Sequence, residues 1–423
     1  SGEIRNENGE TFINIVSAGI GGSSLGPLFI SGALGRPDDK MAVYFMDNTD
    51  PDGMDKVFGK IKDELDRTLV VVVSKSGGTI ETRNCMEEAK AFYEKNGVSF
   101  AKHAVCITGV GSKLYNTATS EGWLKIFPMW DFVGGRTSVM SAVGMVPLRL
   151  QGLDVDSLLR GAADMDRLGR NRDIMNNPAA IMALSWYRVT GGKGGVTQIV
   201  LPYKDSLELL AKYLQQLVME SLGKEEDLQG NIVNQGLAVM GSKGSSDQHS
   251  YVQQLVGGPS NVFVTFVQIL KDRQGASVTV GEDSTSGDYL NAFMQGTKKA
   301  LESHGKKTLV LTVPEVDAYN IGQLIALFER AVGIYAAMID INAYDQPAVE
   351  FGKKAAGGII DAAVKARKLL GDTGEALTCE EIAEKNGDDP DDIFRIMLHM
   401  AANRDDIAME EAENIYNSRF KKI

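Results

Sequence analysis

Two glycine-rich segments, each set between a strand-like run and a helical stretch, constrain the fold of this chain more than any other feature. The first, GIGGSSLGP at 19–27, follows the apolar run 13–18; the second, SKSGGTIET at 74–82, follows the Val-rich run 69–73. Further short apolar runs at 41–46 and 104–107, with helical character between them (81–96 being the clearest case), give the alternation strand, loop, helix, strand. That spacing predicts a parallel sheet with helices on both faces. Runs at 198–201, 261–270 and 308–313 repeat the theme, so two α/β units are expected, the second more heavily decorated. A long helix is expected over 320–342, where Leu324, Leu327, Ala331 and Ile334 fall near helical spacing. The charge-dense tail from 373 reads as a small helical appendage, with Pro390 and its acidic neighbours at a helix start.

The two loops differ in what they can bind. The first contains G-x-G after a strand, but the third glycine of a dinucleotide fingerprint is missing at its usual place. Its small residues, Gly22 among them, let a backbone approach a ligand closely, and Ser23 or Ser24 can donate a hydroxyl. A tight turn without a ligand explains the same letters, and this motif alone does not separate the two. The second loop sets Ser74, Lys75, Ser76 and Thr79 around two glycines at the start of a helix. Uncapped amides and the helix dipole there suit a phosphate monoester, and the spacing is not that of a nucleotide P-loop. A hydroxyl-rich N-cap is the plainer alternative. Two such loops on neighbouring strands together point to a sugar phosphate at the C-terminal edge of a sheet.

The net charge of −12 offers no basic field for nucleic acid or an anionic membrane, so an anion site must be local. No apolar run is expected to span a bilayer. Cys85, Cys106 and Cys379 are three and widely spaced, which implies neither a disulfide framework nor a metal site. The first residue is Ser and a core-type strand begins by Ile13. A processed, tagged or partial chain is therefore expected, located in the cytoplasm, or in the plastid stroma if a transit segment has been removed.

The wording of these loops resembles the glucose-6-phosphate isomerase family, whose modules have the sugar-isomerase (SIS) fold; it is nearest to the cyanobacterial and plastid branch. VGGRTSVMSAVGMVPL at 133–148, QQLVMESLGKE at 215–225, GSKGSSDQHSYVQQL at 241–255 and NAYDQPAVEFGKK at 342–354 follow in the same order. The resemblance implies two three-layer αβα SIS domains with parallel-rich sheets, at 1–165 and 166–335, then a C-terminal helical segment at 336–423. It implies aldose–ketose isomerisation of a sugar phosphate through a cis-enediolate, with no metal or cofactor, in a homodimer with shared sites. By the same resemblance Glu220 moves the proton between C1 and C2, and His249, taken from the partner subunit, opens the ring with Lys353. Arg136 faces the enediolate, while Gln216, Gly22, Ser23 and the 74–79 loop contact sugar and phosphate. Ala348 stands where the family usually has Gly, and the usual N-terminal helical extension is almost absent.

The chemistry is coherent in physical terms. One carboxylate can lift a proton from one carbon and return it to the next, the more readily if burial moves its pKa toward neutrality. An imidazole suits ring opening near neutral pH, and a fixed guanidinium suits developing enediolate charge. A sugar-phosphate sensor would need the phosphate loop but not these acid–base groups. An isomerase acting on the mannose epimer, or an amido-sugar synthase, would share the fold. Outside the motifs Glu220 would read as a solvated helix face, while His103, His304 and His399 read as structural or surface.

Overall fold

The Val-rich run at the centre of the first sheet shows why this region folds as it does. In the computed structural model, which describes residues 4–423 apart from the side chains of Glu350 and Lys353, Thr68–Val73 is a strand buried along its whole length. A run of β-branched residues without polar alternation suits a strand covered on both faces. The strands are β1 (Asn14–Ala18), β2 (Ala42–Met46), β3 (Thr68–Val73), β4 (Ala104–Thr108) and β5 (Lys125–Pro128), all parallel in the order β2-β1-β3-β4-β5. Between them run α1 (Leu25–Leu34), α2 (Pro51–Ile61), α3 (Ile80–Lys95) and α4 (Lys113–Glu121). Local signals set their starts: Asp50 caps α2 ahead of Pro51, and Ser112 caps α4. The chain leaves β1 for β2 on one side and then for β3 on the other. The topological switch point therefore lies between β1 and β3, where a crevice opens at the strands' C-terminal ends.

Three helices follow: α5 (Ala142–Gln151), α6 (Val155–Gly169) and α7 (Pro178–Thr190). The second sheet then begins with β6 (Thr197–Pro202), which leads through the short α8 (Leu210–Leu214) into a π-helical turn, Gln215–Glu220. The hairpin β7 (Lys224–Glu226) and β8 (Ile232–Gln235) stands apart. β9 (Ala238–Met240), α9 (Val252–Gly257), β10 (Val262–Ile269), α10 (Ser286–Ser303) and β11 (Lys307–Val313) complete a parallel sheet of order β11-β10-β6-β9.

The helix expected at 320–342 is α11 (Ala318–Met338), capped by Asp317. It ends earlier than expected because Asp340 adopts a left-handed conformation (φ 59°), which turns the following residues out of the helix. Contrary to the expectation from sequence, α11 is long and apolar enough to cross a membrane. Its apolar surface is instead covered within the protein, with Phe328, Ala331 and Tyr335 buried in one core with Trp186 of α7 and Leu158 of α6. Gly161 of α6 and Gly322 of α11 let these two helices touch: a Cβ at Gly161 would lie 1.9 Å from the Tyr319 carbonyl oxygen, and one at Gly322 2.0 Å from that of Leu158. Any side chain at either position would push the pair apart.

Residues up to Tyr344 form one unit and Asp345–Ile423 a second. The second holds α12 (Val349–Thr373), β12 (Leu377–Thr378), α13 (Cys379–Asn386), α14 (Pro390–Asn403), β13 (Ile407–Glu410) and β14 (Arg419–Lys422). Pro390 opens α14 behind an Asp389 cap that accepts two first-turn amides. Besides the expected helices, this unit carries a small antiparallel sheet, β12-β14-β13. Its strands are two to four residues long, too short for alternation to register in the sequence.

Candidate active site

Both candidate loops leave the first sheet at its switch point. The loop after β1 forms a single 3₁₀ turn, Gly21–Ser23, before α1. Gly22 is obligatory there, because a Cβ would sit 1.9 Å from the Gly135 carbonyl oxygen. Ser138 fixes the contact, donating to the Gly22 carbonyl at 3.0 Å and to that of Gly135 at 2.7 Å. The turn that carries Arg136 is thereby held against the first glycine loop. Gln216 closes the other side, its Nε2 lying 3.1 Å from the position a Cβ on Gly21 would take.

The loop after β3 is shaped by its own hydroxyls. Buried Ser74 accepts the Gly77 amide at 3.1 Å, and Ser76 accepts that of Gly78 at 3.1 Å. Thr79 stands at the N-cap of α3 without capping it, so the first-turn amides have no side-chain acceptor from that residue. Ser74, Gly77 and Thr79 line a cavity of about 210 Å³ that Arg83 and Lys113 also border. The arrangement can accept an oxyanion through orphan amides and hydroxyls. The Lys75 ammonium is turned away from this duty: it donates to the backbone carbonyls of Asp131 (2.6 Å) and Val133 (3.0 Å). It ties the phosphate-type loop to the segment leading to Arg136.

The π-helical turn presents Gln216 and Glu220, both half-buried, while Leu217 and Val218 enter the core. A π turn widens the helix and is often found where a side chain must be aimed at a ligand. Buried Arg136 reaches Glu220, Nε to Oε2 at 3.8 Å, and its Nη1 donates to Ser221 Oγ (3.2 Å) and the Ala343 carbonyl (3.0 Å). The guanidinium is thus fixed by several partners and offers a carboxylate, or charge developing beside it, an immobile cation. Lys224 locks the end of the turn through the carbonyls of Glu220 (3.0 Å) and Ser221 (2.8 Å).

Of the residues expected from sequence, Gly22, Gln216, Arg136 and Glu220 come together, and Ser23 sits in the same turn as Gly22. Ser74, Ser76 and Thr79 flank the same switch point. His249 does not join them by any contact: it is exposed at the end of the 3₁₀ turn Ser246–His249 and has no partner among the described residues. Its loop is anchored instead by buried Asp247, whose carboxylate accepts the Ser242 amide (3.2 Å) and the Tyr251 hydroxyl (2.5 Å). Burial, reinforced by that hydrogen bond and charge, holds the Tyr251 phenol well above its ordinary pKa, so it remains a donor. Lys353 belongs to α12 in the second unit, and its side chain lies outside the described residues. Ser138, Ser221 and Asp247 were missed from sequence; only their adjacency to Arg136, Glu220 and His249 marked them. Among the described residues no cluster of three or more His, Cys, Asp or Glu is placed to hold a metal ion.

Parallel doubly wound sheets, with hydroxyl-bearing loops at a switch point and an Arg–carboxylate pair beside them, define a sugar-isomerase (SIS) type of α/β protein. Comparison with known proteins narrows this. A family model described as phosphoglucose isomerase matches residues 1–374. Proteins named glucose-6-phosphate isomerase in Desulfitobacterium hafniense (strain Y51) and Gloeothece citriformis (strain PCC 7424) are 53% and 51% identical to this chain. The first match covers 99% of this chain and 80% of the relative, the second 95% and 76%. The fold is similar to that of a solved glucose-6-phosphate isomerase from Chlamydia trachomatis D/UW-3/Cx, with TM-score 0.77 and 30% identity, over 83% of this chain and 70% of that one. The chain belongs to the phosphoglucose isomerase family.

Proposed function

We propose that this chain is a glucose-6-phosphate isomerase, interconverting glucose 6-phosphate and fructose 6-phosphate by ring opening and a cis-enediolate. The observation that carries the reading is the placement of Glu220 beside the immobilised Arg136 guanidinium, at the rim of the first glycine loop. Glu220 takes the C2 proton of the open aldose and returns it to C1, while the enediolate charge develops toward Arg136. The hydroxyl proton passes from O2 to O1 in the same conversion, so two proton shifts account for the net change and no cofactor is required. Ser74, Ser76, Thr79 and the open end of α3 hold the phosphate, with Gly22, Ser23 and Gln216 along the sugar. Lys75 adds charge from a tethered position rather than direct coordination. His249 and Lys353 act in ring opening.

Exposure of His249 on an anchored loop supports its delivery to the site of a second copy, and we propose a homodimer with shared sites on that ground. In that reading two SIS modules, 1–165 and 166–335, carry the loops, and 336–423 carries Lys353. A cytoplasmic location accords with the bacterial relatives. A coupled assay starting from fructose 6-phosphate tests the activity. Glu220→Gln should lose about a thousandfold in kcat or more while still binding substrate; an undiminished rate rejects the assignment. Mixed dimers of Glu220→Gln and His249→Ala chains should regain activity that neither parent has; folded mixed dimers without activity reject the shared site.

A further inference from the structure

The second sheet repeats the topology that locates the first site. The chain leaves β6 for β9 on one side and then for β10 on the other, so the switch point lies between β6 and β10. In open parallel sheets ligands bind at such points, beyond the strands' C-terminal ends. A cavity of about 520 Å³ opens there, bordered by residues 203–206 after β6 and by Ile269 and residues 271–274 around the end of β10. Its volume lies in the range of small-molecule sites. None of the residues assigned above to sugar, phosphate or proton transfer lines it.

The walls carry four cations and three carboxylates, in a chain whose net charge is −12. The cations are Arg36, Lys204, Lys271 and Arg273, and the carboxylates are Asp205, Asp272 and Glu315. Lys271 is paired with Glu315 at 2.8 Å. The guanidiniums of Arg36 and Arg273 have no carboxylate partner among the described residues, and Arg36 Nη1 meets only the Gly35 carbonyl. Lys204 donates to the carbonyls of Lys271 and Asp272, which sets its ammonium between the two loops. Burial holds that ammonium below its ordinary pKa; Asp272 and, less strongly, Asp205 oppose the effect, while Arg273 and Arg36 add to it. Lys204 thus lies in the field of both guanidiniums as well as of two carboxylates. Ser206, on the same wall, has a buried hydroxyl with no hydrogen-bond partner. Of the three carboxylates, Glu315 is taken up by Lys271, Asp205 reaches Lys243 at 3.5 Å, and Asp272 is pressed against Gly287, where a Cβ would come within 1.8 Å of it.

Two guanidiniums without a carboxylate partner border an open cavity beside an unsatisfied donor, an arrangement that a bound anion would complete. We propose that this cavity is a second anion site, taking a small phosphorylated metabolite through Arg36, Lys204, Arg273 and Ser206. It shares no lining residue with the proposed isomerase site.

The test is calorimetric titration of this chain with inorganic pyrophosphate. Arg36→Ala/Arg273→Ala should weaken one binding event at least tenfold and leave kcat for fructose 6-phosphate within twofold. Asp272→Asn, which removes one of the three carboxylates on the wall, should tighten the same event about threefold. Ser76→Ala/Thr79→Ala should leave that event unchanged, since any pyrophosphate on the phosphate loop would be lost separately. Absence of pyrophosphate binding, or an affinity that Arg36→Ala/Arg273→Ala does not alter, overturns the site whatever Asp272→Asn does.

Discussion

Arg136 Nε stands 3.8 Å from Glu220 Oε2, while the same guanidinium is bound to Ser221 and to the carbonyl of Ala343, 207 positions further along the chain. The cation is held by the fold, and the carboxylate is within its field without a close hydrogen bond. Arg136→Ala should therefore lower kcat by about 10²–10³, the usual loss when one fixed partner of a developing oxyanion is removed. It should also cost roughly 1–3 kcal/mol of stability, because buried acceptors lose their donor. Arg136→Lys keeps the charge but not the planar fork, and should fall between wild type and Ala in rate. Coupled kinetics with urea unfolding separate the two effects. Equal kcat in all three proteins would remove Arg136 from the reaction.

Gly22 provides a steric test of the same site. A Cβ at Gly22 would lie 1.9 Å from the backbone oxygen of Gly135, so Gly22→Ala must displace the turn that carries Arg136. A shift near 1 Å there should cost about a hundredfold in kcat/KM. Gly59 in α2 is the control: nothing lies within 4 Å of its Cβ position. Gly59→Ala should leave activity alone and add about 0.4–1 kcal/mol by narrowing the unfolded ensemble. A fully active Gly22→Ala would mean that the two loops need not touch.

How much of this was legible in the sequence depends on how far each feature reaches. β3 was legible because Thr68–Val73 is a continuous buried run, and the loops after β1 and β3 were legible because glycine and hydroxyl residues cluster locally. The letters gave Arg136 and Glu220 only through resemblance. The physical reason they form a pair, the π turn at Gln215–Glu220 and the distant Ala343 carbonyl, is tertiary. Residue type did not reveal direction either: Lys75 sits in the phosphate-type loop, yet its ammonium faces Asp131 and Val133. The second cavity was invisible because its cations come from segments near 36, 204 and 271–273, and no stretch of sequence looks basic.

The three cysteines should be chemically quiet in the native protein. Cys85, Cys106 and Cys379 are all buried, and burial raises their thiols to about 11, about 12 and about 11. The thiolate is the reactive form, so little of it is present at pH 8. A disulfide exchange reagent at pH 8 should label none of the three within minutes in native protein, and all three in denaturant. Rapid native labelling of one thiol would show that its surroundings open.

Glu329 makes the stability of the fold depend on pH. Its Oε1 is buried without a hydrogen-bond partner, and burial pushes the carboxyl up from 4.5 to about 8. The nearby Tyr213 hydroxyl is also buried and unpartnered, with its pKa raised by burial and then by the charge of Glu329. Between pH 4.5 and pH 8 the native state retains a proton that the unfolded chain has released. The contribution of this group is therefore fully present below 4.5 and is lost as pH rises toward 8, at up to about 1.4 kcal/mol per pH unit. Glu329→Gln is neutral at every pH and removes the dependence while keeping the shape. The stability gap between variant and wild type should widen in the variant's favour by roughly 2 kcal/mol from pH 6 to pH 8. Urea midpoints at the two pH values measure it. A gap that stays constant would mean that Glu329 ionises in the fold as it does in water, with a partner satisfying its buried oxygen.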